Sequence, residues 1–466
     1  MNVKTVMPFD EVQSLVLRPA RGKSVAHLLL RVPPGRGGEA LAQLARAQLQ
    51  APLTVGPDSA VEERLQCTLG FSYRGLEALC VPPAYLRLFS RLSPAFAQGA
   101  PLRSLQLGDS GDSAPANWRQ GFHLDHAHVL LTLHGPRPAV RGLALKLKLG
   151  WRAQFGPACV QSLGGDRLGA PGGQQGEWVH FGYRDGETDH HISGVQNNST
   201  RSTKHAPGEF LLGYPNDRGF NRFSLPLAPK KVRSFFANSS FGVLRPMRQD
   251  VFMFEQAVQA WRRQAEAAFG QAISADWVKA KLCGRWPSGE AIRPGQFQPA
   301  LKDLDLDFKK DPDGIGCPWS AHVRRMNPQG QGDAHQRDRP LVRRGTPFGP
   351  ANWGAMDDRR VRGLLGFFFC SSVEDQFEHL LGQWANRRPL GAPDDSRSND
   401  PLAGQHEIES DAMFVPRPNG QPLVFTGFQP WTQTLGTVFA WHPGRTGVDR
   451  ILRQDYVSPD DEGPWL

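Results

Sequence analysis

Apolar and polar positions in the first half of the chain follow two periods, one typical of strands and one of helices. Apolar runs that predict buried strands occur at residues 25–32, 65–71 and 126–134. Residues 39–50 place apolar side chains on one helical face, and residues 73–79 predict a short second helix. A polar stretch rich in Pro and Gly, residues 93–121, predicts a loop. The order of strands and helices favours an α+β arrangement of the split-βαβ type.

The second half repeats this order. Residues 240–244 predict a strand, and Asp250 is placed to cap a helix that runs to about residue 270. The strongly apolar run at residues 363–370 predicts a central strand. Ser371 and Glu374 then have the spacing of a capping box at the start of another helix.

Length and composition are consistent with two similar halves joined by long loops. A chain of 466 residues has room for two or three domains. Its 50 Gly and 39 Pro predict many loops, the longest over residues 164–225 and 287–349. We therefore predict an α+β fold with an N-terminal half, residues 1–228, and a C-terminal half, residues 229–466.

Charge and cysteine content exclude some classes of partner. The net charge is +9, but the Arg residues are mixed with acidic residues and no nucleic-acid-binding module is visible, so we expect no nucleic-acid partner. The six Cys include no Cys-x-x-Cys pair, which disfavours a zinc or iron–sulfur site and predicts buried free thiols in a reducing compartment. Residues 1–17 lack a signal-peptide pattern and no membrane span is visible, so a cytoplasmic location without a membrane partner is the expectation.

Three polar stretches carry candidate chemistry, and each has a plainer interpretation when it is taken alone. His322 precedes Arg324 and Arg325. An imidazole can ligate a metal through one nitrogen while an acceptor holds the other, and neighbouring guanidinium groups can pair with cofactor carboxylates. Asp185 stands before Gly186, which is also a common turn pair. The third stretch, residues 341–349, contains paired Arg, for which a solvated surface is the favoured interpretation when the stretch is taken alone.

Taken in order, these stretches resemble the dye-decolourising peroxidases, a family of haem peroxidases. Residues 182–186 fit the family's Gly-x-x-Asp-Gly signature, and residues 321–328 and 343–350 fit two further motifs. Supporting matches, which extend the resemblance over most of the chain, are residues 69–76, 107–111, 207–210, 363–365, 376–377 and 384–386.

The resemblance implies a fold of two ferredoxin-like halves, antiparallel sheets with helices packed on them, and haem b in the C-terminal half. It implies that His322 is the proximal iron ligand. Asp185 would move a proton between the oxygens of hydrogen peroxide, and Arg343 would stabilise the charge that develops as the O–O bond breaks. Arg343 is preferred to Arg344 because the family motif gives this role to the residue two before Gly345. Arg344 would then be a surface or propionate-facing side chain.

Other cofactor contacts follow from the same resemblance. Arg324, with Arg325 as the alternative, is expected to pair with a haem propionate. The apolar run at residues 365–369 is expected to seal the distal pocket, where apolar walls exclude water and strengthen electrostatic contacts. Leu365 and Phe367 are the chosen contacts, and the phase of the strand decides which side chains point inward.

Two parts of the sequence depart from the family pattern. His190 and His191 stand where family members usually carry a Ser-Gln-Pro-like string, and they are candidates either for extra distal groups or for a surface loop. The C-terminal stretch matches only loosely, so the acid that orients His322 is not fixed. The candidates are Glu407, Glu409 and Asp411.

The function implied is a haem-dependent peroxidase that reduces hydrogen peroxide and oxidises bulky aromatic donors such as dyes or phenolics. An aspartate base remains ionised in acid, so turnover is expected to be better at acid than at neutral pH. One alternative is a haem-handling protein with little peroxidase turnover. The presence of both Asp185 and Arg343 argues against it, because storage does not need a proton shuttle. A second alternative is a basic interaction protein without a cofactor.

Overall fold

The computed structural model describes residues 9–20, 22–57, 64–169, 177–186, 190–195, 203–300, 303–328, 339–353, 356–387, 398–406 and 411–457. The strands within these ranges are β1 (Ser24–Leu30), β2 (Gln66–Phe71), β3 (Val129–Gly135), β4 (Val160–Asp166), β5 (Glu177–Trp178), β6 (Arg184–Asp185), β7 (His190–Ile192), β8 (Thr203–His205), β9 (Ser240–Gln249), β10 (Val342–Arg343), β11 (Thr346–Phe348), β12 (Gly363–Cys370), β13 (Met413–Val415), β14 (Leu423–Phe425), β15 (Thr432–Thr434) and β16 (Val438–His442).

The α-helices are α1 (Ser14–Leu17), α2 (Gly37–Gln50), α3 (Tyr73–Ala78), α4 (Pro83–Leu92), α5 (Pro94–Gln98), α6 (Ser104–Leu107), α7 (Arg137–Phe155), α8 (Lys230–Phe236), α9 (Val251–Phe269), α10 (Ala275–Cys283), α11 (His322–Met326) and α12 (Arg445–Arg453). Two consecutive π-helical segments cover Val373–Glu378 and Leu380–Ala385. The described 3₁₀ turns are Phe9–Glu11, Ala100–Arg103, Gly111–Ser113, Pro115–Asn117, Gln120–Phe122, Pro157–Cys159, Pro207–Glu209 and Phe308–Lys310.

Ten strands form one antiparallel sheet in which both halves of the chain have the same order. The path is β10-β12-β9-β16-β2-β3-β1-β4, with β11 beside β12 and β15 beside β9. Within each group of four strands, the second, third, first and fourth in sequence follow one another across the sheet, which is the order of a ferredoxin-like unit. Trp441 of β16 pairs with Phe71 of β2 and joins the halves. The predicted pair of ferredoxin-like halves is confirmed, whereas the boundary at residue 228 stays a prediction.

The two ends of the sheet approach each other where β4 meets β11. A Cβ atom on Gly165 would lie 2.5 Å from the Pro347 carbonyl oxygen and 3.2 Å from a methyl group of Leu365. A glycine is therefore needed for this close approach of the two backbones. The sheet consequently curls, and the outer strands of the two halves enclose a shared apolar core.

A second apolar core lies in the C-terminal half and contains α9, α10, β13 and β14. Asp250 begins α9 as predicted, because its side chain accepts a hydrogen bond of 3.0 Å from the Met253 amide. Phe181, which precedes the predicted distal motif, and Tyr183, which lies within it, also pack in this core. The Tyr183 hydroxyl donates to the Lys279 carbonyl at 2.9 Å, so the motif of the first half is anchored to a helix of the second.

The thiols match the sequence prediction only in part. Four of the six Cys are buried, but Cys80 is exposed and Cys283 is half-buried, and all six are free. Among the helices of the described ranges, none combines the length and the apolar character needed to cross a bilayer.

Candidate active site

His322 opens the short helix α11, and its ring is held by a buried carboxylate. The imidazole Nδ1 lies 2.9 Å from Oδ2 of Asp400, whose side chain has no exposed surface. The His322 side chain is 30% exposed, and its Nε2 has no hydrogen-bond partner within the described part of the chain. With Nδ1–H donated to the carboxylate, the Nε2 lone pair is available to a metal ion.

The acid that orients His322 is Asp400, which the sequence analysis did not name. Its other oxygen, Oδ1, accepts from the Leu402 and Ala403 amides at 2.9 Å each. Burial alone would raise the pKa of Asp400, but the attraction of His322 and Arg325 and these hydrogen bonds hold it below its ordinary value. Asp400 is therefore a carboxylate in the neutral pH range.

Asp411, predicted as one candidate for this acid, has another partner. Its Oδ2 lies 2.7 Å from Nδ1 of His406. The other two candidates, Glu407 and Glu409, lie outside the described residues. The prediction of Asp411 was wrong because the acid that contacts His322 is Asp400, which lies in the loop at residues 398–406, eleven positions before Asp411.

The end of the second π-helical segment positions both members of the His322–Asp400 pair. The Ala385 carbonyl accepts from the Asp400 amide at 2.8 Å, and the Trp384 carbonyl accepts from Arg325 at 2.5 Å. Asn386 accepts from the Gln405 amide at 2.6 Å, which closes the loop that carries Asp400. Residues 384–386, a supporting match in the sequence, thus fix the carboxylate that holds His322.

Arg324 is used inside the protein, contrary to the prediction that it pairs with a haem propionate. Its Nη1 donates to the carbonyls of Cys317 at 2.7 Å and Asp311 at 2.9 Å. The guanidinium also lies 4.2 Å from the ring centre of Trp319, and the side chain is 1% exposed. These contacts stabilise the turn before His322.

Asp185 and Arg343 come from different halves of the chain and converge. Arg343 Nη2 lies 3.7 Å from Asp185 Oδ1, and the two side chains are 47% and 40% exposed. Asp185 ends β6, opposite Glu177 of β5, and its Oδ1 also accepts from the Gly186 amide at 2.8 Å. The Asp-Gly pair does form a turn, with Gly186 at a φ of +78°, and that turn presents the carboxylate to the guanidinium.

Arg343 and Arg344 point in different directions. Arg343 pairs with Phe368 across the ladder between β10 and β12. Arg344 is buried, and its Nε donates to the Leu15 carbonyl at 2.8 Å. Arg344 therefore ties α1 to the sheet and is neither a surface nor a propionate-facing side chain, which corrects the sequence interpretation.

The phase of β12 corrects the predicted apolar wall. Residues directly opposite in an antiparallel pair share a face, so Arg343 lies on the face of Phe368 and, by alternation, of Leu364. Leu365 and Phe367 lie on the other face, 2% and 0% exposed, in the shared core. Phe368 leans over Gly366, where a Cβ atom would be 2.8 Å from its ring. The predicted pocket residues were one position out of phase.

The residues around His322 and those around Arg343 lie on either side of the end of α10. Burial raises the pKa of the Cys283 thiol to about 12, and the charges of both Asp400 and Arg343 also act on it. Gly284, which follows, leaves room for Cys317 and Val323: a Cβ atom there would meet their side chains at 2.7 and 3.0 Å. This close packing brings α11 up to α10.

These residues fit a haem. A porphyrin supplies four nitrogen ligands to its iron, so one protein imidazole with a carboxylate behind it is enough to hold the group. Among the described residues no group of three or more His, Cys, Asp or Glu could hold a bare metal ion. The donor set around His322 therefore fits a haem ligand with a supporting acid.

Comparison with known proteins finds dye-decolorizing peroxidases among the proteins that are similar to this chain in sequence and in fold. No protein-family model matches the chain. It is 27% identical over 372 residues to dye-decolorizing peroxidase msp1 of Mycetinis scorodonius, covering 75% of this chain and 68% of the relative. It is 26% identical over 362 residues to the multifunctional dye peroxidase DyP2 of Amycolatopsis sp. (strain ATCC 39116 / 75iv2), covering 73% and 74%.

A solved dye-decolorizing peroxidase in complex with 2,6-dimethoxyphenol has a similar fold, with a TM-score of 0.74 and 21% identity over 96% of this chain and 99% of that one. The similarity in fold agrees with the sequence similarity to the relatives and with the convergence of the motif residues. In sequence and in fold, the chain is similar to dye-decolorizing peroxidases.

Proposed function

We propose that this chain is a haem b peroxidase in which His322 holds the iron and Asp185 and Arg343 act on hydrogen peroxide. The observation that carries the proposal is the pairing of two polar units: an imidazole backed by the buried Asp400, and a carboxylate 3.7 Å from a guanidinium. Together they supply a metal ligand and a proton-transfer group.

Asp400 orients the ligand and raises its electron donation. By accepting Nδ1–H at 2.9 Å, the carboxylate makes the opposite nitrogen of His322 a stronger base and fixes the ring. Bound haem would supply the redox chemistry, passing two electrons from aromatic donors to peroxide. The balanced reaction is one hydrogen peroxide plus two donor molecules AH giving two waters and two radicals A•.

Asp185 moves a proton within the bound peroxide. Its carboxylate takes the proton from one peroxide oxygen and returns it to the other, so that water can leave when the O–O bond breaks. Arg343 holds a positive charge beside the departing oxygen and stabilises the negative charge that develops there. The distance of 3.7 Å keeps the two groups close without a short hydrogen bond between them.

Leu364 and Phe368 are the apolar side chains of β12 that share a face with Arg343. Apolar side chains beside a charged pair lower the local dielectric and strengthen its interactions. We propose that these two side chains, in place of Leu365 and Phe367, line the peroxide side of the haem.

Phenolic compounds and dyes are the proposed donors. The neighbouring structure was solved with 2,6-dimethoxyphenol, and a relative is named a multifunctional dye peroxidase. The alternative of a haem-handling protein is not favoured, because such a protein would have no use for the Asp185–Arg343 pair.

Replacement of His322 by alanine tests the ligand assignment. We expect the Soret band of the haem-loaded protein to be lost or displaced, because no other imidazole is held by Asp400. The measurement is an absorbance spectrum during titration with haemin. His123→Ala, at an exposed histidine, is the matched control and should bind haem like the native protein. An unchanged Soret band in His322→Ala would contradict the assignment.

A further inference from the structure

Two buried lysines of α10 leave the helix on opposite sides. Lys279 and Lys281 are two positions apart, so their side chains are separated by about 200° around the helix axis. The Lys279 side chain is 11% exposed, and Lys281 is 3% exposed. A buried ammonium group needs neighbours that compensate its charge. The neighbours of each lysine therefore show what α10 holds on each side.

Lys279 holds the turn that carries Asp185. Its Nζ lies 2.5 Å from Oε1 of Glu255, in α9, and a Cβ atom on Gly182 would lie 3.3 Å from the same Nζ. The Lys279 carbonyl accepts from the Tyr183 hydroxyl at 2.9 Å. The Glu255 side chain is also only 11% exposed, so the ion pair is enclosed between α9, α10 and the turn. The turn is thus fixed to α10 at two consecutive residues, three and two positions before Asp185.

Lys281 holds the segment that leads to His322. Its Nζ donates to the carbonyls of Ile315 and Gly316 at 2.7 Å each, and it lies 5.1 Å from the centre of the Trp277 ring. Two carbonyl oxygens and an aromatic face thus compensate the buried charge. Burial lowers the pKa of Lys281 to about 8, which keeps the group protonated at neutral pH.

This segment is joined to the helix that begins at His322. The Cys317 amide, next in the chain, donates to the Asp311 carboxylate at 2.7 Å. Arg324 donates to the carbonyls of the same two residues, Cys317 and Asp311. Arg324 belongs to α11 and lies two positions after His322. A shift of the segment held by Lys281 would therefore shift α11 and its first residue.

The α10 helix consequently contacts both sides of the proposed site. It has nine residues and a length of about 13 Å. In the proposed function, His322 and the Asp185–Arg343 pair act from opposite sides of the haem. A proton-transfer group must lie within hydrogen-bond reach of the atom that it serves. A misplacement of about 1 Å can lower a rate by about 100-fold, so the separation of the two sides has to be fixed.

We propose that Lys279 and Lys281 are positioning residues that make α10 a spacer between the two sides of the site. Lys279 acts through the turn of Asp185, and Lys281 acts through the segment before His322. This role rests on the proposed peroxidase function and adds to it the part of the fold that sets the distance between the iron ligand and the acid–base group.

Lys279→Met tests the Asp185 side. Methionine keeps most of the length of the side chain but removes the charge. We expect kcat/KM for hydrogen peroxide to fall about 10- to 100-fold, because Asp185 is displaced. The Soret band and the rate of haem transfer to an apomyoglobin acceptor should not change. If the unpaired Glu255 prevents folding, the double variant Lys279→Met/Glu255→Leu leaves no buried charge and should show the same loss.

Lys281→Met tests the His322 side and should show the opposite signature. Loss of an interaction that supports a metal ligand typically lowers metal affinity about 10- to 100-fold, so we expect haem transfer to apomyoglobin to become at least about tenfold faster. The Soret band should shift, whereas kcat/KM for peroxide of the loaded protein should stay near the native value. Lys281→Gln keeps donors for the carbonyls and should lie between the methionine variant and the native protein.

Lys146→Met, at an exposed lysine of α7, is the matched control and should match the native protein in both measurements. A native rate with peroxide in the Lys279 variants would overturn the spacer role, and so would native haem transfer in the Lys281 variants. Equal changes of both quantities in both sets would also overturn it, since a purely structural role affects the whole fold. A native protein that binds haem but does not react with peroxide would contradict the proposed function as well.

Discussion

Asp185→Asn should lower kcat/KM for hydrogen peroxide by about two to four orders of magnitude, the usual contribution of a positioned general acid–base group. Asparagine keeps the size of the side chain and can still accept from the Gly186 amide, but it cannot take a proton from peroxide. The measurement is stopped-flow absorbance of the haem-loaded variant mixed with peroxide. Haem binding itself should be unchanged, because Asp185 does not contact His322 or Asp400.

Two control variants separate this role from general effects of charge. Asp112→Asn changes an exposed carboxylate elsewhere and should react like the native protein. Glu177→Gln removes the carboxylate directly opposite Asp185. In the native protein, Oε1 of Glu177 pairs with Arg167 at 2.6 Å. If Glu177→Gln lowers kcat/KM for hydrogen peroxide more than Asp185→Asn does, the base has been assigned to the wrong strand of the hairpin.

Acid should unfold the protein steeply below about pH 6, because several histidines are buried in the shared core. Burial lowers the pKa of His442 from 6.5 to about 3 and that of His134 to about 3. His27, between them, is shifted strongly in the same direction by burial. Gly70 and Gly242 leave the space for His442, since a Cβ atom at either position would lie 2.5 or 2.4 Å from its ring.

The sign follows from proton binding. Between pH 3 and 6.5 the unfolded chain protonates these imidazoles and the folded protein does not, so stability falls as the pH drops through this window. Each histidine with such a shift makes the free energy of unfolding about 2.5 kcal/mol lower at pH 4.5 than at pH 7.5. Together, His134 and His442 lower the free energy of unfolding by about 5 kcal/mol. This is a large part of the total for an ordinary domain, which is about 5–15 kcal/mol.

Chemical denaturation at pH 7.5 and pH 4.5 measures this effect. His442→Leu should reduce the difference in unfolding free energy between the two pH values by about 2.5 kcal/mol, because one buried proton-accepting group is gone. His123→Gln, at an exposed position, should leave the difference unchanged. Stability that is equal or higher at pH 4.5 in the native protein would contradict the prediction.

The two pH effects oppose each other. An aspartate base favours turnover in acid, whereas the buried histidines make the fold less stable there. We therefore expect activity to rise as the pH is lowered from neutral and then to be lost when the protein unfolds. The lowest pH at which the protein is active is then set by the buried histidines and not by the aspartate base.

The fold could be predicted where the apolar residues follow a single period, either that of a strand or that of a helix. The apolar run at residues 363–370 became β12 with both ends as predicted, and Asp250 caps α9 as predicted. The helix α7 was missed because leucines at every second position, residues 143–149, imitate a strand. Its buried residues follow helical spacing, and Leu145 and Leu149 are more than half exposed. The predicted loop at residues 93–121 contains short helices, which are too brief to give a period.

The cap after β12 shows how local signals shift by one residue. Ser371 and Glu374 have capping-box spacing, but the helix is capped by Ser372, whose hydroxyl accepts from the Asp375 amide at 3.1 Å. The segment then winds as a π-helix, a form that no sequence period indicates and that is frequent near functional sites.

Motifs predicted the site residues but not their partners. Asp185 and Arg343 were chosen separately and lie 3.7 Å apart. Asp400 was missed because no pattern links it to His322, 78 residues earlier. Hydrogen bonds from its loop to Ala385 and Asn386 hold it beside His322. Arg324 and the phase of β12 were assigned incorrectly because side-chain direction depends on strand register and on nearby carbonyls, which the sequence does not display.

We expect the proposed haem site of this chain to reduce peroxide with electrons from aromatic donors. The most direct measurement is the bleaching of an anthraquinone dye by protein loaded with one equivalent of haem, with and without hydrogen peroxide. We predict bleaching that requires both haem and peroxide and that saturates with each substrate. A protein that shows the Soret band of bound haem but bleaches no dye when peroxide is added would contradict the account.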